Sequence, residues 1–280
     1  MKHSQQDFLI KNFKCISLNG FSGDRTPHGM DVCHSLSQAL SEYLNIEVEY
    51  HGEPRPTADL RWDNALVESH EMLSKASSLI KSILYEGDKP ILITPRCATA
   101  IATLPQVMNK FPECVVIYFD AHGDLNTPKT SITGYLGGMP VTAAMGIWDS
   151  GFGSGVKADQ FVHIGGRDFD NCEVDFLNER NILVLSKEQV ERDLSVLESL
   201  IENKPVFMHI DVDVFDPSEF AAEYTVNDGI FRQHIQTVLA SVQENAILVG
   251  LEITEFSPKT NEERESSYAA LFDSLKSLCS

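Results

Sequence analysis

Cys114-Val115-Val116-Ile117-Tyr118-Phe119-Asp120-Ala121-His122-Gly123-Asp124 joins a short apolar run to a cluster of two carboxylates and an imidazole. The run is β-branched and aromatic and too short for a helix, so it reads as a buried strand with chemistry-bearing residues at its carboxyl end. Pro205-Val206-Phe207-Met208-His209-Ile210 repeats the pattern and leads into Asp211-Val212-Asp213-Val214-Phe215-Asp216-Pro217. Outward from these two, further strands are predicted over Ile46–Tyr50, Pro90–Thr94, Gln160–Ile164, Ile182–Leu185 and Ala246–Ile253. Helical apolar spacing marks Trp62–Tyr85, Ala98–Lys110, Val141–Gly146, Lys187–Asn203, Phe231–Gln243 and a terminal helix over Asn261–Leu278. This alternation is that of a three-layer αβα fold with a mostly parallel sheet.

The 280 residues suit one domain, since no composition break divides positions 1–280. Against 22 basic side chains stand 41 acidic ones, a formal charge of -19 that disfavours nucleic acid and anionic membrane surfaces as partners. Cys15, Cys33, Cys97, Cys114, Cys172 and Cys279 lack the paired spacing of zinc knuckles or redox dithiols, so reduced thiols in a cytoplasmic protein are expected. Neither a signal peptide in the segment beginning Met1-Lys2-His3-Ser4-Gln5-Gln6 nor a membrane-spanning stretch is apparent. The glycine-rich segments at 134–138, 151–155 and 165–166 match no phosphate or dinucleotide loop and are assigned to turns.

Functional groups in open parallel sheets collect beyond the carboxyl ends of the strands. Alternate residues of an extended segment point the same way, so Asp120, His122 and Asp124 converge, as do Asp211 and Asp213. Five carboxylates and an imidazole so placed repel one another unless a divalent cation is present, and a mostly oxygen donor set suits Mn²⁺. Asp-X-Asp and Asp-X-His-X-Asp at strand ends also read as turn formers and helix caps.

The chain resembles the ureohydrolases, the arginase and agmatinase family that shares its fold with histone deacetylases. The resemblance spans residues 88 to 260. It is carried by Asp120-Ala121-His122-Gly123-Asp124-Leu125-Asn126-Thr127-Pro128, Gly138-Met139-Pro140, Ile164-Gly165-Gly166-Arg167-Asp168, Asp211 to Pro217, and Glu252-Ile253-Thr254-Glu255. It implies a binuclear Mn²⁺ site with Asp120 and Asp211 bridging, His122 and Asp213 completing one ion's shell, and Asp124 binding the other and holding the nucleophile. It implies hydrolysis of a guanidino C–N bond with release of urea. Asn126 and Thr133 are then expected at an α-carboxylate, Asp170 and Glu173 at an α-amino group, Glu255 at the guanidinium, and Thr225 beside the catalytic centre. It also implies a homo-oligomer, trimer or hexamer.

Two departures qualify the resemblance. Where the family carries Gly-Gly-Asp-His-Ser and a histidine ligand, this sequence has Thr94-Pro95-Arg96-Cys97-Ala98. Cys97 is either a thiolate ligand, favouring Zn²⁺ or Fe²⁺, or a buried thiol without that role. Arg96, if directed inward, would replace the charge of the second ion and leave one. The second departure is Gly137, where arginases have a proton-relaying histidine; Tyr135 is a candidate stand-in. Three readings therefore stand: a guanidino hydrolase with one ion or a weakened pair, a non-catalytic paralogue, and a single-metal amide or formimino hydrolase. The other histidines, His209 among them, are expected at the surface or in packing.

Overall fold

The computed structural model describes residues 13–279; the amino-terminal segment in which no signal peptide was read lies outside them. Its strands are β1 (Phe13–Leu18), β2 (Val48–His51), β3 (Lys89–Ile93), β4 (Val115–Phe119), β5 (Phe161–Ile164), β6 (Leu183–Leu185), β7 (Pro205–Asp211) and β8 (Ile247–Thr254). They form one sheet in the order β2-β1-β3-β8-β7-β4-β5-β6, and every pairing is parallel. Parallel neighbours need crossovers, which the helices α1 (His28–Leu44), α2 (Trp62–Glu86), α3 (Ala100–Lys110), α4 (Pro140–Ala144), α5 (Asn171–Glu179), α6 (Lys187–Arg192), α7 (Ser195–Ile201), α8 (Arg232–Asn245) and α9 (Asn261–Leu275) provide or extend.

The pleat of β4 divides its side chains between two cores. Val115, Ile117 and Phe119 pack with Leu36 and Leu40 of α1, Leu239 of α8 and Leu271 of α9. Val116 and Tyr118 face the opposite layer with Ile80 of α2 and Leu104 and Val107 of α3. A strand covered on both faces has no polar side to show, which explains its unbroken apolar sequence. At the sheet borders β2 has four residues and β6 three.

Register decides what meets at the carboxyl edge. Phe119 of β4 pairs with Ile210 of β7, so Asp120 and Asp211 leave the sheet side by side. Asp211 in turn pairs with Thr254 of β8, and Ile253 of β8 with Ile93 of β3. Four adjacent strands, β3, β8, β7 and β4, thereby deliver Cys97, Glu255, Asp211 and Asp120 to one place.

Differences from expectation are local. The predicted helix over Lys187–Asn203 is two helices, α6 and α7, with Asp193 and Leu194 between them. β1, α1 and α5 were not anticipated. No helix of the described residues is long and apolar enough to cross a membrane. Cys15, Cys33, Cys97, Cys114 and Cys172 are free thiols.

Candidate active site

A cavity of about 280 Å³ opens at the carboxyl edge of the sheet, lined by residues that include His122, Asp124, Asn126, Thr133, Asp170, Glu173, Asp211, Asp213 and Glu255. Asp120 lies beneath, fully buried. Its Oδ1 accepts from the His122 backbone amide at 2.7 Å, while its Oδ2 is buried without a hydrogen-bond partner. His122 directs Nδ1 to Asp213 Oδ2 at 2.9 Å and to Asp120 Oδ1 at 3.5 Å. The second Asp213 oxygen accepts from the Ala121 amide at 3.1 Å. These hydrogen bonds fix donors from two loops against each other.

Donor atoms of Asp120, His122 and Asp213 lie within 4.8 Å of one another, as do those of Cys97, Asp120 and Asp211. Asp120 therefore belongs to both groups, whereas Asp211 falls only in the group containing the thiol. The Cys97 thiol donates to Asp211 Oδ2 at 2.9 Å and lies 3.0 Å from Thr254 Oγ1 and 3.3 Å from His209 Nε2. Asp124 stands apart from both groups: it adopts a left-handed backbone (φ 56°), and its Oδ2 accepts from Tyr118 Oη at 2.6 Å.

Electrostatics mark the same place. Burial, reinforced by Asp213, pushes the Asp120 carboxyl up to about 7. Burial likewise raises Asp124 and Asp211 well above the carboxylate range, with neighbouring acids adding to it. His122 moves oppositely to what its burial alone would give, because hydrogen bonds to Asp120 and Asp213 hold its pKa far above the ordinary imidazole value. Carboxylates strained toward protonation and an orphaned buried oxygen are what a divalent cation relieves. The oxygen and imidazole group fits a hard or borderline ion such as Mn²⁺. The thiol group fits less well: burial and Asp211 keep Cys97 protonated, and a thiol is not a ligand until it loses that proton.

Arg96 is fully buried, and its guanidinium pairs with acids outside the two donor groups. Its Nε donates to Asp24 Oδ1 at 3.0 Å, its Nη2 to Glu223 Oε2 at 2.7 Å, and its Nη1 to Glu255 Oε2 at 2.6 Å. Glu255 Oε1 accepts from the Cys97 amide at 3.2 Å. Burial lifts Glu255 to about 7 even with Arg96 opposing it. The expected guanidinium anchor thus carries an internal guanidinium on one oxygen.

The expected substrate groups line one side of the cavity. Asn126 Nδ2 donates to Asp170 Oδ2 at 2.8 Å. Glu173 accepts from the Leu125 and Asp170 amides, both at 2.9 Å, so both its oxygens also clamp backbone. A Cβ on Gly123 would stand 2.6 Å from the Glu173 carboxyl carbon, which reserves that position for glycine. Thr133 lines the cavity and Thr225 does not; Thr225 is exposed, and the neighbouring wall is Tyr224.

Sequence reasoning missed Asp24, Arg25 and Glu223, which come from segments without motifs. His209, expected at the surface or in packing, does pack: it is fully buried, stacked on Tyr118 at 4.0 Å between ring centroids, and bonded through Nδ1 to Glu252 Oε2 at 3.1 Å.

Residues 29–277 match the family model described as Arginase family. The chain belongs to the arginase family. Among its family relatives is the N(omega)-hydroxy-L-arginine amidinohydrolase of Streptomyces lavendulae, 34% identical over 92% of this chain and 94% of that protein. The arginase of Bacillus caldovelox is 28% identical over 76% of this chain and 75% of its own length. An arginase crystal structure from Bacillus cereus superposes with a TM-score of 0.81 at 25% identity, covering 95% of this chain and 98% of that one. Arginase-family similarity thus extends beyond residues 88–260 at both ends and takes in α1 and α9.

Proposed function

We propose that this cavity hydrolyses a guanidino C–N bond of an arginine-like amino acid, using one divalent cation held by Asp120, His122 and Asp213, with Asp211 the further carboxylate that family resemblance assigns to that ion and Mn²⁺ the best match to those donors. The observation that carries the reading is the buried, unpartnered Asp120 Oδ2 among converging donors at the foot of the cavity. The relative named for action on N(omega)-hydroxy-L-arginine supports a guanidino substrate. When bound, such a cation supplies an activated water near neutral pH and Lewis-acid polarisation.

The chain's own residues bind and orient. Seven acids line the cavity, Asp124, Asp168, Asp170, Glu173, Asp211, Asp213 and Glu255, so it favours a cationic ligand. Glu255 faces the guanidinium, Asn126 and Thr133 the α-carboxylate, and Asp170 and Glu173 the α-amino group. Asp124, anchored by Tyr118, positions the attacking water. Reduced thiols and the family support a cytoplasmic homo-oligomer.

The test is release of urea or hydroxyurea from L-arginine, Nω-hydroxy-L-arginine and agmatine by Mn²⁺-loaded protein. Turnover of an amino-acid substrate with one tightly held ion per chain is expected. Silence across the panel with the ion bound would favour the second reading, a non-catalytic paralogue, which the engagement of Glu255 by Arg96 supports.

A further inference from the structure

Tyr135 presents an anomaly at the cavity wall. Its Oη is buried and has no hydrogen-bond partner, whereas the other buried phenol of the site, Tyr118, donates to Asp124 at 2.6 Å. Buried hydroxyls without partners are uncommon, because the desolvated group has nothing in place of water.

The ring is fixed from several sides. It lies on the backbone of Gly137, where an added Cβ would come within 2.5 Å of Cε1 and 2.9 Å of Oη. The Arg25 guanidinium sits 4.9 Å from the ring centroid, and the Tyr224 ring lies 5.9 Å away. Arg25 is itself tethered, donating through Nη2 to the Thr133 carbonyl at 2.9 Å. The glycine thus creates the space that the phenol fills. Tyr135 lines the same cavity as Glu255, and the Tyr224 ring beside it lies 5.8 Å from the Arg96 guanidinium that pairs with Glu255, which sets Tyr135 toward the guanidino end of the cavity.

A phenol offers one hydrogen and accepts through oxygen, whereas an unsubstituted guanidinium offers only donors. Such a substrate could use the Tyr135 lone pairs but would leave its hydrogen unmatched. An oxygen substituent on the terminal nitrogen supplies the missing acceptor. We propose that Tyr135 is a specificity-determining residue that donates to the oxygen of an N-hydroxyguanidine, making this class, rather than plain guanidines, the preferred substrate. This rests on the reading of the cavity as a guanidino site. The role is in binding and selection, and no bond is made or broken by the phenol.

The test compares Mn²⁺-loaded wild type, Y135F and G137A using Nω-hydroxy-L-arginine and L-arginine. Binding is read from ligand-induced shifts of the thermal midpoint, and turnover from ornithine release. Wild type is expected to prefer the N-hydroxy compound in kcat/KM. Y135F should lose about tenfold for that compound, the effect of one ordinary hydrogen bond, and less than threefold for L-arginine. The loss should appear chiefly in KM. The ligand-free midpoint of Y135F should not fall, because the substitution removes an unpartnered hydroxyl. G137A, which displaces the ring, should show the same selective loss. Equal loss for both compounds, or none, overturns the proposal while leaving the guanidino reading intact. If neither compound shifts the wild-type midpoint or is turned over, the guanidino reading fails and the proposal with it.

Discussion

Arg96 Nη1 and Glu255 Oε2 are 2.6 Å apart in a buried ion pair, and that guanidinium also reaches Asp24 and Glu223. A buried cation shared by three acids from distant parts of the chain binds the loop after β1, the turn after β3, the segment before α8 and the end of β8 to one another. Removing it leaves the acids uncompensated. R96M should therefore destabilise the protein by roughly 3–5 kcal/mol, the usual cost of breaking a buried pair from one side. Chemical denaturation would measure this, and a loss below about 1 kcal/mol would show that those acids are protonated or hydrated instead.

Cys97 is the residue expected to limit the metal content. Its proton is committed to Asp211, whereas an imidazole can offer a lone pair without first losing a proton from sulfur. C97H should raise bound Mn²⁺ from one ion per chain toward two, as read by elemental analysis after chelator-free purification. A ratio still at one would show that something other than the thiol excludes the second ion.

Stability should depend on pH differently with and without metal. Asp120, with its folded pKa raised to about 7, retains a proton that the unfolded chain releases near 4, so metal-free protein loses stability as pH rises between these values. Asp124, Asp211 and Glu255 are raised as well and act in the same sense. His163, which burial holds down at about 4, contributes the opposite slope between there and the ordinary imidazole value. The diagnostic is therefore a difference: D120N should flatten the metal-free decline relative to wild type, and should weaken Mn²⁺ binding by more than about a hundredfold. Parallel pH curves for the two proteins would contradict this account of Asp120.

Glu173 is expected to matter for the shape of the substrate side. E173Q turns an amide N–H toward the Leu125 or Asp170 N–H, a donor facing a donor, and should cost about 1–3 kcal/mol. Slower turnover with a raised KM should accompany it, because Asp170 and Asn126 share that wall. Unchanged stability and kinetics would mean that neither amide depends on the carboxylate.

Legibility followed locality. The two strand-plus-acid segments could be read because a strand buried on both faces is written as a continuous apolar run, and the acids follow without interruption. That Asp120 and Asp211 are neighbours depends on the adjacency of β4 and β7, which the parallel alternation suggested and the register establishes. β1 escaped because Lys14 and Ser17 interrupt its apolar residues. Asp24, Glu223 and Arg96 meet across 72 and 127 residues of chain, and nothing local to any of them announces the others. His209 was read as packing; it does pack, but its two nitrogens also join Glu252 to the thiol of Cys97.

The brevity of the border strands has a bearing on self-association. With four residues in β2 and three in β6, few backbone amides and carbonyls remain open along either rim. A neighbouring copy would gain little by continuing the hydrogen-bond ladder. The same economy guards against rim-to-rim stacking into fibres.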